Sequence, residues 1–412
     1  MKNGTKIDLT NTADAFAYKT DQQLRKAQVM FTLMNQNWLV RLGAGLTALA
    51  VKWNLPVKGL IRSTIFEQFV GGESLDQTTD TIKTLEQFNV EAILDYGAEG
   101  KETEADFDRT KEEFIRVVRF AATRPNVPLM GIKITGLARF ALLEKLNTLV
   151  RLTDQTVEID TGSLTSAERQ EWERVVSRTV EICETGADLN IGIVIDAEES
   201  WIQDTIDALT MQVMTVFNQK AAVVFNTVQL YRHDRLAFLK RSFALAQNRK
   251  AILGVKIVRG AYMEKERKRA LERNETVLIQ PDKAASDRDF NAAIDFCLDH
   301  LDRISLIVAS HNEYSVQHTV EKLLDAGLLL NHPHLHFSQL FGMSDHITFN
   351  LAKMGCNVSK YLPYGPIADV IPYLMRRAQE NSSVAGQTSR ELFLIRKEVA
   401  RRKRYKGAIP KL

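Results

Sequence analysis

The stretch Ile191-Gly-Ile-Val-Ile-Asp-Ala-Glu-Glu199 sets the pattern from which the fold is read. A short β-branched run breaks off at a carboxylate, and a long amphipathic stretch, 199–217, follows at once. A run of that length and composition, bounded this way, reads as a buried strand followed by a helix. The same unit recurs along the chain, with apolar runs at 92–95, 129–135, 191–196, 221–229, 252–258, 304–310, 335–340 and 358–363. Helix-like segments such as 109–122, 168–184, 199–217, 287–301 and 314–326 lie between them. Eight β-then-α units predict an α/β fold closed as a (βα)8 barrel of the TIM type, although an open doubly wound sheet shares the periodicity. The strand ends favour closure. Asp95, Lys133, Asp196, Gln229, Arg259, His311, Gln339 and Tyr361 are costly to bury without purpose, and a barrel gathers all of them at one mouth. The chain then divides into a helical N-terminal region (1–85), the barrel (86–381) and a basic C-terminal extension (382–412).

Composition limits the alternatives. Of 412 residues, 45% are hydrophobic and 25% charged, which excludes a mostly disordered chain, a collagen-like chain and a coiled-coil rod. Lys and Arg number 54 against 51 Asp and Glu, a net charge of 54 − 51 = +3, so no nucleic-acid partner is expected. Cys183, Cys297 and Cys356 are far apart and form no CxxC pair, which points to a reducing compartment. The N-terminus carries no secretory pattern, and the expected location is cytoplasmic. The apolar stretch 42–51 is too short to span a bilayer, which takes about 20 residues. It reads as a buried helix, with peripheral membrane contact as the minority reading. Within it, Gly43-Ala-Gly-Leu-Thr-Ala48 matches a dinucleotide-binding loop but lacks the strand that such a loop follows.

Three stretches carry candidate chemistry. In Tyr361-Leu-Pro-Tyr-Gly-Pro-Ile-Ala-Asp-Val-Ile-Pro-Tyr-Leu-Met-Arg-Arg-Ala-Gln-Glu-Asn381, Tyr373, Arg376, Arg377 and Glu380 share one helix face. Paired guanidiniums beside a phenol suit a carboxylate clamp, and a solvated basic helix fits the spacing as well. Pro372 either kinks this helix or marks its start with Asp369 as cap. In Gly254-Val-Lys-Ile-Val-Arg-Gly-Ala-Tyr262, Lys256 and Val258 share a strand face, and Arg259 stands beside the small residues Gly260 and Ala261. A cation at such a turn suits a phosphate or a strand-end salt bridge. Lys133, inside Gly131-Ile-Lys-Ile-Thr135, needs a partner or a ligand. A structural salt bridge to Asp95 or Asp196, a Schiff-base nucleophile and a substrate ion pair all remain open. His332, His334 and His336 alternate, but at the far end of a strand, so no metal is expected.

Taken in order, these motifs resemble those of the proline dehydrogenase family, flavin enzymes of proline catabolism. Tyr-Leu-Met-Arg-Arg-Ala-Gln-Glu-Asn is the most specific, joined by Val-Lys-Ile-Val-Arg-Gly-Ala-Tyr, Ile-Asp-Ala-Glu-Glu, Ser-His-Asn, Gln-Leu-Phe-Gly-Met and Tyr-Leu-Pro-Tyr-Gly. The resemblance runs from about Phe66 to Asn381. It implies a distorted barrel that binds FAD non-covalently, oxidises L-proline to 1-pyrroline-5-carboxylate and passes electrons to a quinone. Arg376, Arg377 and Lys133 would hold the substrate carboxylate, while Tyr361, Tyr373 and Leu340 would wall the ring. Asp95 and Glu99 match a strand-end acidic pair, with Glu99 gating against Arg376. Asp196, Gln229, Lys256, Val258, Arg259, Gly260, Ala261, Tyr262, Ser310, His311, Asn312, Gln339 and Glu380 fall where the family contacts FAD.

Bifunctional bacterial members carry Arg first and Lys second in the strand-five motif, with Trp after Tyr. Here Lys256 precedes Arg259 and Met263 follows Tyr262, the order of the eukaryote-like branch. The length leaves no room for an aldehyde dehydrogenase domain, so a single-activity form is expected, with a separate pyrroline-carboxylate dehydrogenase downstream. Hydroxyproline dehydrogenase is the near alternative, disfavoured by Tyr361 where a 4-hydroxyl would press. A Schiff-base lyase through Lys133 and a non-catalytic interaction barrel are more distant ones. The basic run 401–406 and the 42–51 stretch are the places for weak peripheral contact at the inner face of a membrane.

Overall fold

All eight apolar runs form strands, joined by a hairpin that the periodicity does not announce. In chain order they are β1 (Glu91–Tyr96), β2 (Leu129–Ile132), β3 (Val150–Leu152), β4 (Val157–Ile159), β5 (Gly192–Ile195), β6 (Val224–Gln229), β7 (Leu253–Val258), β8 (Ile304–Ala309), β9 (Leu335–Leu340) and β10 (Val358–Tyr364). The computed structural model describes residues 7–35, 59, 62–383 and 387–408, so the 42–51 stretch and its 43–48 glycine motif lie outside the described residues. The sheet is a closed barrel of order β1-β10-β9-β8-β7-β6-β5-β2, which settles the choice against an open sheet. The antiparallel pair β3–β4 stands apart from it.

Contacts group the chain into two compact units, residues 92–338 and residues 1–91 with 339–412. In the first, helices and strands alternate with strong local signals. The Ser166–Leu189 helix opens on a reciprocal capping box between Thr165 and Glu168 and closes on Asn190 at φ 56°. That left-handed residue turns the chain directly into β5. Asn218 fastens the next two strands at their starts. Its buried amide donates to the carbonyls of Val224 (2.8 Å) and Ile252 (3.0 Å) and accepts from the N–H groups of Val223 (2.9 Å) and Val224 (2.8 Å). Gly254 is needed beside them, because a Cβ there would run into the Val224 carbonyl.

In the second unit, Ala15, Phe16, Leu24, Phe31, Phe69, Val70, Val370, Leu374, Leu394 and Ile395 belong to one buried cluster. Burying an aromatic such as Phe31 is worth about 2–3 kcal/mol. The Asp21–Met34 helix starts on a capping box between Thr20 and Gln23 and contributes one face to this cluster. The Gln387–Ala408 helix, which contains the whole basic run, contributes another. Two of the run's cations are already committed. Arg401 and Arg402 both pair with Glu398, and Arg402 also binds Asp21 and the carbonyls of Phe16 and Lys19. Among the described residues, no helix is long and apolar enough to cross a membrane.

Candidate active site

Four charged side chains from the barrel strands β1, β2, β5 and β7, or just past their ends, meet in the 92–338 unit. Lys256 on β7 forms an ion pair with Asp196, just past β5. The other Asp196 oxygen lies 3.9 Å from Lys133 Nζ, just past β2, and Lys133 Nζ lies 3.5 Å from Asp95 Oδ2 on β1. Signs alternate along Lys256–Asp196–Lys133–Asp95, so two positive and two negative charges balance inside an apolar barrel. Burial pushes the Asp95 carboxyl up to about 6; Lys133 pulls the other way, and Asp196 and Glu99 add to the rise. Oxygen Oδ1 of Asp95 is buried and takes no hydrogen bond. Of the readings left open for Lys133, its ion pairs with Asp95 and Asp196 are present, although β2 stops at Ile132 and Lys133 leads into a 3-10 turn, Ile134–Gly136.

The β6, β7 and β8 ends carry most of the residues expected at a dinucleotide. Gln229 Nε2 donates to the Glu198 carbonyl at 3.1 Å. Thr227, two residues earlier on the same face of β6 and opposite Lys256 in register, keeps a buried hydroxyl with no hydrogen bond. Arg259 is a strut between strand ends and helices. Its Nε meets Asp287 (2.7 Å), its two terminal nitrogens meet Ser310 and Ser315 (2.9 Å each), and its guanidinium lies 4.3 Å from the Phe290 ring centre. Gly260 has φ 134°, and a Cβ on it would strike the Tyr231 ring. Its small size is thus required by the protein's own tyrosine, where the sequence suggested room for a ligand. Val258, Ala261, Tyr262 and His311 are half-buried around these ends. Asn312 caps the Glu313–Asp325 helix by accepting from Ser315 N–H at 3.1 Å. A buried, unsatisfied hydroxyl beside a lysine and an amide is a donor set that fits a polar cofactor such as FAD.

In the other unit, Tyr361 sits in the middle of β10, not at its end, and is buried; its carbonyl accepts from Phe341 N–H at 2.9 Å. Pro372 lies inside the Ile367–Ser383 helix, so the helix does not start at that proline. Tyr373 and Arg377 are buried on this helix, with the Arg377 guanidinium 5.0 Å from the Tyr373 ring centre. Arg376 is half-buried, and the Glu380 side chain lies outside the described residues. Leu340 packs against the cluster that contains Tyr373, and Gln339 Oε1 accepts from the Thr348 hydroxyl at 2.9 Å.

Sequence reasoning passed over two supports. Lys360, beside Tyr361, is fully buried, 2.9 Å from Asp345 and 2.6 Å from the Met343 carbonyl, and Tyr18 donates to Asp345 at 2.7 Å. Burial opposes ionisation of Asp345, but Lys360, Lys19 and Tyr18 outweigh it and bring the carboxyl down to about 2. A lysine in an apolar strand was the available cue, the same one that marks Lys133. The other support is Glu198, whose carboxylate accepts from Thr135 N–H (3.1 Å) and from the Thr135 hydroxyl (2.6 Å). The histidines expected to be structural are engaged locally, with His334 Nδ1 2.6 Å from the Leu301 carbonyl. Among the described residues, no group of three His, Cys, Asp or Glu side chains is arranged to hold a metal ion.

Residues 78–390 match the family model described as proline dehydrogenase. A carbapenem antibiotics biosynthesis protein, CarD, of Pectobacterium carotovorum subsp. carotovorum is 32% identical over 345 residues, covering 84% of this chain and 86% of that protein. The mitochondrial proline dehydrogenase 1 of Dictyostelium discoideum is 31% identical over 437 residues, covering 97% of this chain and 76% of that one. A hydroxyproline dehydrogenase of Xenopus laevis is 31% identical over 366 residues, covering 83% and 78%. Among solved structures, proline utilization A of Bdellovibrio bacteriovorus shares the fold at a TM-score of 0.68 and 18% identity. That match covers 94% of this chain but only 39% of the larger one.

Proposed function

The chain belongs to the proline dehydrogenase family, oxidoreductases that act on proline, and from that premise we propose that it oxidises L-proline to 1-pyrroline-5-carboxylate, with FAD as hydride acceptor and a quinone as the onward acceptor. The observation that carries this reading is the buried Lys256–Asp196–Lys133–Asp95 array. It holds the Lys133 ammonium group between two carboxylates inside an apolar barrel, an oriented partner for a small carboxylate. An amine flanked by two carboxylates is a poor Schiff-base nucleophile, since that role needs apolar or cationic neighbours.

In this reading Lys133, Arg376 and Arg377 bind the substrate carboxylate, and Arg supplies the bidentate, permanently charged part of the clamp. Tyr361, Tyr373 and Leu340 wall the ring, fixing the carbon that loses hydride. Lys256, Gln229, Thr227 and the backbone at 260–262 are the groups assigned to the cofactor, with Asp196 between them and Lys133. Bound FAD supplies the two-electron acceptor that no side chain provides. The proline amine must be neutral before hydride leaves, and no side chain is assigned as its base. Peripheral contact with the inner face of a membrane would fall to exposed Lys403 and Arg404, since Arg401 and Arg402 are held by Glu398 and Asp21. The imine product would pass to a separate dehydrogenase.

Two tests bear on the chemistry. Incubation with L-proline and an artificial two-electron acceptor should accumulate the cyclic imine, and borohydride should trap no substrate on the protein. A covalent adduct at Lys133 would replace hydride transfer by a lyase reaction. The match to a hydroxyproline dehydrogenase favours 4-hydroxyproline as a second substrate. Tyr361→Ser should then raise the ratio of kcat/KM for hydroxyproline over proline, and an unmoved ratio would remove Tyr361 from the ring wall.

A further inference from the structure

Glu198 lies two residues beyond Asp196, is buried, and touches three strand ends at once. Its two carboxylate oxygens accept the backbone N–H (3.1 Å) and the hydroxyl (2.6 Å) of Thr135, in the single turn that follows Lys133. Its backbone N–H donates to Gln203 Oε1 at 2.7 Å, and its carbonyl accepts from Gln229 Nε2 at 3.1 Å. Gly136, next in the same turn, has no room for a Cβ, which would approach the Ala98 carbonyl beyond β1 at 2.9 Å. One residue thus joins the segment bearing Asp196 to the turn bearing Lys133 and to the Gln229 amide, while that turn is pressed against the end of β1.

A buried carboxylate that contacted neither a ligand nor a cation at close range would be a costly way to close a loop. The charged groups facing Glu198 are Glu199, which raises its proton affinity, and Lys133, which lowers it; burial dominates and pushes the carboxyl up to about 7. Glu199 is itself paired with Lys265. Both bonds to Thr135 survive protonation, because a carboxylic acid can accept from the N–H and donate to the hydroxyl.

We propose that Glu198 is a positioning residue of the reaction: by clamping Thr135 and carrying Gln229, it sets where the Lys133 ammonium stands relative to the cofactor-side amide. This inference rests on the proposed role of Lys133 at the substrate carboxylate. Glu198 acts through Lys133 and touches neither substrate nor cofactor. A displacement of Lys133 by a fraction of its side-chain length is enough to lower turnover, since misplacement of about 1 Å can cost a hundredfold.

The test is a double-mutant cycle on flavin-loaded protein, read as the rate of anaerobic flavin reduction by proline per loaded site. Glu198→Ala should lower kcat/KM roughly tenfold to a hundredfold, with Thr135→Val showing a smaller loss in the same direction. Glu198→Gln should stay close to wild type, because its amide reproduces both bonds to Thr135. In a Lys133→Met background, Glu198→Ala should cost little more. Independent, multiplying losses in that background overturn the proposal, as does an unchanged kcat/KM per loaded site accompanied only by a lower Tm. Should Glu198→Ala not fold, Thr135→Val in both backgrounds completes the cycle. A wild-type protein whose flavin is not reduced by proline overturns the proposed function, and the role of Glu198 with it, whereas normal wild-type reduction with additive variants overturns the role of Glu198 alone.

Discussion

Removing Asp196 leaves two lysines facing one another across the space it filled, and the size of the penalty follows from the geometry. Asp196 is the only carboxylate of the array that touches both cations, paired with Lys256 and 3.9 Å from Lys133. The balanced set of two lysines and two aspartates becomes a net positive pocket. Breaking a buried ion pair by deleting one partner costs about 3–5 kcal/mol. The Asp196 side chain is 13% exposed, so the lower part of that range applies. For 412 residues at about 2 cal/mol/K of unfolding entropy each, such a loss lowers Tm by about 3–5 °C. Lys256→Met should also destabilise, because it removes the closer of the two cations that Asp196 faces. The double variant Asp196→Ala/Lys256→Met should recover about 1–3 kcal/mol of the summed loss, since Lys133 and Asp95 remain as a pair. The assay is thermal unfolding of all four proteins at equal flavin content. Strictly additive shifts in Tm would refute the coupled array, and an undisturbed Asp196→Ala would refute it more simply.

Other outcomes follow from the same contacts. Arg376→Ala and Arg377→Ala should each raise the proline KM roughly tenfold to a hundredfold, the equivalent of a charge-assisted hydrogen bond of about 1.5–3 kcal/mol; steady-state kinetics with a dye acceptor measures it, and only Arg377→Ala should also lower Tm, because that side chain is buried against Tyr373. Asn218→Ala removes all four bonds that fasten β6 and β7 and should cost about 3–5 kcal/mol in a denaturant melt while sparing KM. Stability should fall as pH rises from about 4 to 7, because Asp95 (about 6) and Glu198 (about 7) hold protons more tightly folded than unfolded. Their contribution is complete below the ordinary carboxylate range and lost above the folded values, so Asp95→Asn and Glu198→Gln should flatten Tm across that window. Asp345, depressed to about 2, acts only below it.

The barrel was legible because its signal is local. Each strand is a β-branched run that stops at a polar residue, and several helices open on a side-chain cap that the sequence shows, as at Thr165 with Glu168 and at Thr20 with Gln23. The hairpin β3–β4 escaped because its strands are three residues long and each has a charged residue, Arg151 or Glu158, at its centre. Within the site, a charge inside an apolar run exposed Lys133 and Asp196. What they bind was open, because the pairing depends on strand order, which periodicity does not contain. The Glu198–Thr135 clamp joins residues 63 apart in the chain, and the Lys360–Asp345 pair depends on a strand meeting the start of a helix; neither pairing has a sequence signature, although Lys360 itself stands out in its strand. Arg259 was open in the same way. Its place beside Gly260 suits a phosphate or a strand-end salt bridge, and its three nitrogens meet Asp287, Ser310 and Ser315, contacts that depend on the fold and not on the local sequence.

In the proposed reaction this barrel moves two electrons from proline to a bound flavin. The most direct test is the visible spectrum of the purified protein, recorded without oxygen before and after L-proline is added. The expected result is a yellow protein whose flavin bands bleach on addition of proline, at far higher proline concentration in Arg376→Ala. A colourless protein that takes up no FAD, or a yellow one whose spectrum proline leaves unchanged, would contradict it.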